Sequence, residues 1–143
     1  MSRIQAAFVR TALVYLVLTG ALGVVFLAAP RWIPAFRVVH VHAGLLGFFL
    51  SLVMGVAFWL LPRPAGRRTP RAEAWSYALF HGGLAARVAL EPWWRLGGPP
   101  ELRALLVAAG TATLAGMAVF AASLWGRAVD ADTLRRLRSE RAT

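Results

Sequence analysis

Three histidines carry most of the chemical interest in this chain, at positions 40, 42 and 81. Two of them stand in Arg37-Val-Val-His40-Val-His42, directly ahead of an uncharged run of 19 residues, 43–61. An ionisable group at the mouth of such a run is costly if it enters lipid, which makes it a functional candidate. Neutral imidazole is the commonest metal ligand and the usual protein ligand of haem iron. On a helix, a two-residue spacing sets His40 and His42 about 200° apart. They cannot line one pocket unless the backbone unwinds there.

The residues that follow separate the two rings. Gly44, Gly47, Ser51 and Met54, with Gly55 beside them, continue the side of His40; Leu46, Phe49, Val53, Val56 and Leu60 continue that of His42. Small residues admit a second backbone or a flat macrocycle, whereas bulky aliphatics suit lipid. The pattern predicts His40 as an axial ligand, with Gly44 and Gly47 flanking the cofactor. His42 is then an interfacial or supporting residue.

Arg87 is the other costly side chain, and Glu91 follows at four residues. Either the two pair along their helix, or Arg87 turns inward and grips a carboxylate such as a haem propionate. Arg37, one turn before His40, has the same capacity. Met54 and Met117 read as gap fillers. Thr11, Thr19, Thr111, Thr113 and Ser123 are expected to hydrogen-bond between helices. No nucleophile–base pair, paired carboxylates, phosphate loop or metal-hydrolase motif is present.

These residues need elements to hold them. The chain has 143 residues, 59% of them apolar and 15% charged, with a mean hydropathy of +0.61. A soluble domain of this size has too little interior to hide that surface, but a bilayer can cover it. Four apolar segments stand out, at about 11–29, 36–61, 74–90 and 104–126. Each can cross ~30 Å of hydrocarbon at 1.5 Å per residue, the third with help from its ends. Prolines 30, 62, 64, 92, 99 and 100 punctuate the gaps. The first segment has too long an apolar core for a cleavable signal peptide. The expected fold is all-α: a four-transmembrane-helix antiparallel bundle over residues 1–126, then a basic tail, 127–143. Within the tail, Asp132 or Asp130 would cap a short amphipathic helix.

The net charge of +10 rests on arginine alone, since the chain has no lysine. These arginines cluster at the ends of apolar runs, where they meet anionic headgroups rather than nucleic acid. Eleven fall on the side of the termini and the second loop, against four on the other side. The positive-inside rule makes both termini cytoplasmic. His40 and His42 then lie near the outer face, with Trp32, Trp93 and Trp94 as an aromatic belt. His81 is roughly 9–12 Å from the cytoplasmic end of its segment, and His42 roughly 28 Å from that of its own. One iron shared between His81 and an earlier histidine is not expected, and His81 is a weaker metal candidate. The absence of cysteine excludes disulfides, thiolate metal sites and thioether-linked haem.

The stretch from Arg37-x-x-His40 through Leu45-Leu46-Gly47-Phe48 to Gly55-Val-Ala-Phe-Trp-Leu-Leu-Pro62-Arg63 resembles a known helix. It is similar to the second transmembrane helix of subunit I in the haem–copper oxidase superfamily, nearest to nitric oxide reductases and related cytochrome oxidases. The resemblance covers about 27 residues, and elsewhere the segments match only as apolar helices in the right order. It implies a b-type haem on His40 and a bacterial inner-membrane location. The role implied is accessory to respiration or nitric oxide handling: electron transfer, sensing or assembly. The family's second haem ligand, its high-spin haem ligand and the histidines of its copper or non-haem iron have no counterpart here. The resemblance therefore implies no complete oxidase or reductase, and leaves the sixth iron position open or borrowed. A respiratory oxidase or nitric oxide reductase subunit, or a second copy of the chain, are the expected partners. Two other readings are a haem-free interaction subunit that docks through small-residue faces, and a copper- or zinc-handling protein using His40, His42 and the outer loop. The latter requires an unwound helix start.

Overall fold

The computed structural model describes residues 1–61, 70–125, 127 and 139. It is all-helical, with four long helices, three of them long and apolar enough to cross a membrane. We number them α1 (Arg3–Ala28), α2 (Pro30–Leu60), α3 (Pro70–Arg95) and α4 (Leu102–Trp125). The expected amphipathic tail helix and the arginines at 63, 67 and 68 lie outside the described residues.

Helix α1 begins eight residues before the apolar run that predicted it. The cause is local. Ser2 accepts a hydrogen bond from the Gln5 amide at 3.2 Å, and the Gln5 side chain accepts from the Ser2 amide at 2.8 Å. This reciprocal capping satisfies two backbone donors that a helix start otherwise leaves open. The first turn is also tied to other helices. Gln5 is fully buried and donates to the Phe58 carbonyl and the Glu73 carboxylate, each at 3.2 Å. The Ser2 hydroxyl adds a bond to Glu73 at 3.1 Å.

Helix α2 opens with a 3₁₀ turn, Pro30–Trp32, continues as α-helix over Ile33–His42, widens to a π-helix over Ala43–Leu50 and returns to α over Ser51–Leu60. The π stretch begins one residue after His42. Hydropathy gave no hint of it.

Helix α3 runs 26 residues, well past the predicted 74–90, and is not among the three apolar enough to cross. Arg71, Glu73, Arg87, Glu91 and Arg95 lower its hydropathy. It stops at a glycine cap: Gly97 has φ +91°, its amide bonds the Trp94 carbonyl at 3.2 Å, and the Gly98 amide bonds Trp93 at 3.0 Å. That pattern closes a helix on a left-handed residue, which glycine adopts without steric cost.

Contacts fix the relative directions. Along α1, Phe8, Tyr15 and Thr19 meet Gly55, Gly47 and Gly44 of α2 in descending order, so these two helices run oppositely. Along α3, Phe80 meets Gly116 of α4 and Gly83 meets Ala109 and Thr113, again in opposite directions. Helices α1 and α3 run the same way, Gln5 pairing with Glu73, Thr11 with Tyr77 at 2.9 Å and Tyr15 with His81. Phe8, Tyr15, Met54, Phe58, Phe80 and Leu84 form the centre of the core. Met54 is a buried gap filler, as its side chain suits. The hydroxyl residues depart from expectation: only Thr11 reaches another helix, whereas Thr19, Thr111, Thr113 and Ser123 bond carbonyls four residues back in their own. Each satisfies itself locally, so none of the four pulls a partner in.

Candidate functional site

The α-helical turn that closes at His42 carries both outer histidines, and it is not unwound. His40 is half-buried against Phe26 of α1, ring centroids 5.3 Å apart, with its Cε1 edge over Gly23. Its Nδ1 is enclosed and has no hydrogen-bond partner. His42 is half-buried on another side. Its Nδ1 lies 2.8 Å from the Val38 carbonyl. A carbonyl only accepts, so Nδ1 carries the proton and Nε2 keeps its lone pair. Because the turn is regular helix, the two rings diverge, and a two-histidine copper or zinc clip does not form on it. Among the described residues no cluster of three or more His, Asp or Glu could hold a metal ion.

Gly44 and Gly47 do different work from that expected. A Cβ on Gly47 would collide with the Tyr15 ring, and one on Gly44 would lie 3.2 Å from Thr19 Cγ2. The stripe is a seam that seats α1 side chains. Physically, two membrane helices gain most from close backbone approach, and the small residues are used for that. A planar macrocycle has no room on the α1 side of the stripe. A haem carried by His40 has to lie outside the α1–α2 seam, at the ring edge that the bundle does not enclose. The unpartnered nitrogen, Nδ1, is the enclosed one, so iron at the open edge would have to meet Nε2 and would leave Nδ1 unpaired.

His81 lies lower, at the level of Ser51, nine residues beyond His42. At 1.5 Å per residue that is about 13 Å along the axis, too far for one shared iron. His81 is only 7% exposed, with Nε2 3.1 Å from Ser51 Oγ. The single Ser51 hydroxyl proton goes to the Phe8 carbonyl at 3.0 Å. Ser51 must therefore accept from His81, which assigns the proton to Nε2. His81 Nδ1 is then a buried lone pair with no partner. Around the ring stand Phe8, Tyr15, Tyr77 and Phe80, at centroid distances of 5.4, 6.2, 4.6 and 5.0 Å. This ring is a packed junction of α1, α2 and α3.

At the far end of α3, Glu91 is 5% exposed and shared by two arginines. Arg87 Nη2 reaches one carboxylate oxygen at 3.1 Å, and Arg95 reaches the other at 3.3 and 3.2 Å through Nε and Nη2. The intrahelical pair thus claims one face of the Arg87 guanidinium. Arg37 is exposed.

Sequence reasoning missed Gln5, Glu73 and Ser76, and it put Ser51 on the inward stripe without its partners; all four are buried and polar. For Gln5 the signal was present as Ser2-x-x-Gln5, a capping spacing. For the others nothing local distinguishes them, because their partners lie 30 or more residues away. The chain matches no family model, no curated protein and no solved structure.

Proposed function

We propose that the chain is a small b-type haem protein of the bacterial inner membrane, an up–down bundle of four spanning helices with cytoplasmic termini. His40 is its axial ligand, holding the haem against the outside of the α1–α2 pair, beside a neighbouring subunit. The observation that carries this reading is the ring of His40 itself. It is half-buried at the expected outer boundary, its Nδ1 is sealed and unpartnered, and no hydrogen bond explains its presence. Nε2, the ring nitrogen that is not sealed, would meet the iron, while the unpaired Nδ1 costs about 1–3 kcal/mol with or without haem. Arg37, exposed one turn earlier, is placed to meet a propionate. Haem would supply one-electron transfer or gas binding, and the resemblance of the Arg37-x-x-His40 element is our reason for proposing respiration or nitric oxide handling as its setting. His42 is the second candidate, because its anchored Nδ1 presents an oriented Nε2.

The test is an absorption spectrum with haem extraction on protein purified from haem-replete cells. A Soret band is expected in wild type and in His81→Ala, with loss in His40→Ala. Loss in His42→Ala alone would move the ligand by two residues. No Soret band in wild type would end the haem reading.

The rival reading, a haem-free docking subunit, has its own support. Ala78, Gly82, Ala85 and Ala89 are all exposed at helical spacing on α3, and a Cβ at Gly82 would meet nothing within 4 Å. Such a face suits close approach by another membrane helix. Co-purification of a larger respiratory subunit, lost in Gly82→Leu and indifferent to His40→Ala, would favour it.

A further inference from the structure

The groove where α3 meets the start of α4 is lined by Arg87, Glu91, Trp94, Arg103, Leu106, Val107 and Gly110, with a volume of about 300 Å³. Its charge is unbalanced. Both oxygens of Glu91 are already engaged, one by Arg87 and one by Arg95. Two guanidinium groups therefore share the carboxylate, and Arg103 adds a third to the groove wall. Arg87 turns its remaining amino group across the groove, Nη1 standing 3.9 Å from where a Gly110 Cβ would lie. Its Nε is enclosed without a partner. Arg103 supplies a second, exposed guanidinium from the facing helix. Between the two guanidiniums α4 presents Leu106 and Val107, past Gly110 its exposed face continues apolar at Leu114, and Trp94 flanks the polar end.

We propose that this groove holds an anionic phospholipid, its phosphate between Arg87 and Arg103 and the start of an acyl chain running past Gly110 onto Leu114. The charge asks for an oxyanion, and guanidinium donors fit phosphate oxygens closely. The apolar continuation toward the membrane interior distinguishes a lipid from a free ion. Tryptophan at the polar end suits the headgroup level of a bilayer. The inference does not depend on haem at His40.

The test is native mass spectrometry of the full chain released from detergent after exposure to phosphatidylglycerol or phosphatidylcholine. One phosphatidylglycerol is expected to survive delipidation, with phosphatidylcholine retained at least tenfold less. Arg103→Gln should reduce retention about tenfold. Gly110→Leu, which fills the apolar wall without removing charge, should do the same and keeps the test decisive if Arg87→Gln fails to fold. Equal retention of both lipids, or retention unchanged in Arg103→Gln, would overturn the proposal. So would displacement by millimolar inorganic phosphate, which would mark a free-oxyanion site. A retained haem lost with Arg103→Gln would also overturn it, placing a propionate there instead.

Discussion

At the scale of single residues, adjacent glycines have opposite meanings. Gly83 lies on the α4-facing side of α3, where a Cβ would run into the Ala109 carbonyl and the Thr113 backbone. Backbone cannot rotate away as a side-chain tip can, so the helices must separate. Gly83→Ala should destabilise by about 1–3 kcal/mol or more. Gly82 faces outward with nothing within 4 Å, and Gly82→Ala should be neutral or stabilising by up to about 1 kcal/mol through helix propensity. Thermal unfolding in detergent separates the two, and equal effects would refute the interhelical contact. The hydroxyls divide in the same way. Ser51→Ala strands the His81 Nε2 proton in the core and should cost about 1–3 kcal/mol. Thr111→Ala removes only a bond to its own helix on an exposed face and should stay within about 0.5 kcal/mol.

At the scale of elements, α2 is the helix that composition described least well. Its apolar character was plain from residues 36–61, and its inward stripe of Gly44, Gly47, Ser51, Met54 and Gly55 was legible from spacing. The use of that stripe was not. Whether a glycine seam seats a neighbouring ring or a cofactor depends on what lies opposite, and Tyr15 is 32 residues away in sequence. The π widening is equally invisible locally, since Ala43–Leu50 contains no residue that demands it. It sits where Tyr15 and Thr19 press on Gly47 and Gly44, and π-helical turns often occur where a helix is re-aimed for function. Removing one residue from 45–50 would rotate the His40 half about 100° relative to the Ser51 half. The chain has no cysteine, so engineered pairs report register cleanly. Thr19→Cys with Gly44→Cys, and Phe8→Cys with Gly55→Cys, should each form a disulfide in the intact chain. After the deletion only one pair should survive. If both pairs still cross-link, the π segment does not set the facing of the outer histidines.

At the scale of the whole molecule, the question is whether α3 crosses with the other three. By hydropathy alone it does not qualify, and the reason is visible in its charges. Yet Glu73 is buried under Ser2 and Gln5, and Glu91 is buried under Arg87 and Arg95, so the acids at both ends are compensated inside the protein. Between them Phe80 and Gly83 pack against α4, and Tyr77 and His81 against α1. At 1.5 Å per residue its 26 residues extend about 39 Å, more than the ~30 Å hydrocarbon core. In the proposed bundle, a helix parallel to α1 and antiparallel to α4, in contact with both, would follow them through the bilayer. Under the proposed function the arginine asymmetry would put the chain ends inside and the Gly97–Gly98 turn outside. Alkaline phosphatase inserted between Gly97 and Gly98 should be active in intact bacterial cells, whereas a fluorescent protein fused after residue 143 should mature in the cytoplasm. Weakening the bias should weaken the outcome. Changing Arg63, Arg67, Arg68 and Arg71 together to glutamine should yield a mixed population with reduced phosphatase activity. An inactive enzyme at 97–98 in the parent chain would mean that α3 lies on one side of the membrane, and the outer placement of His40 would lose its basis.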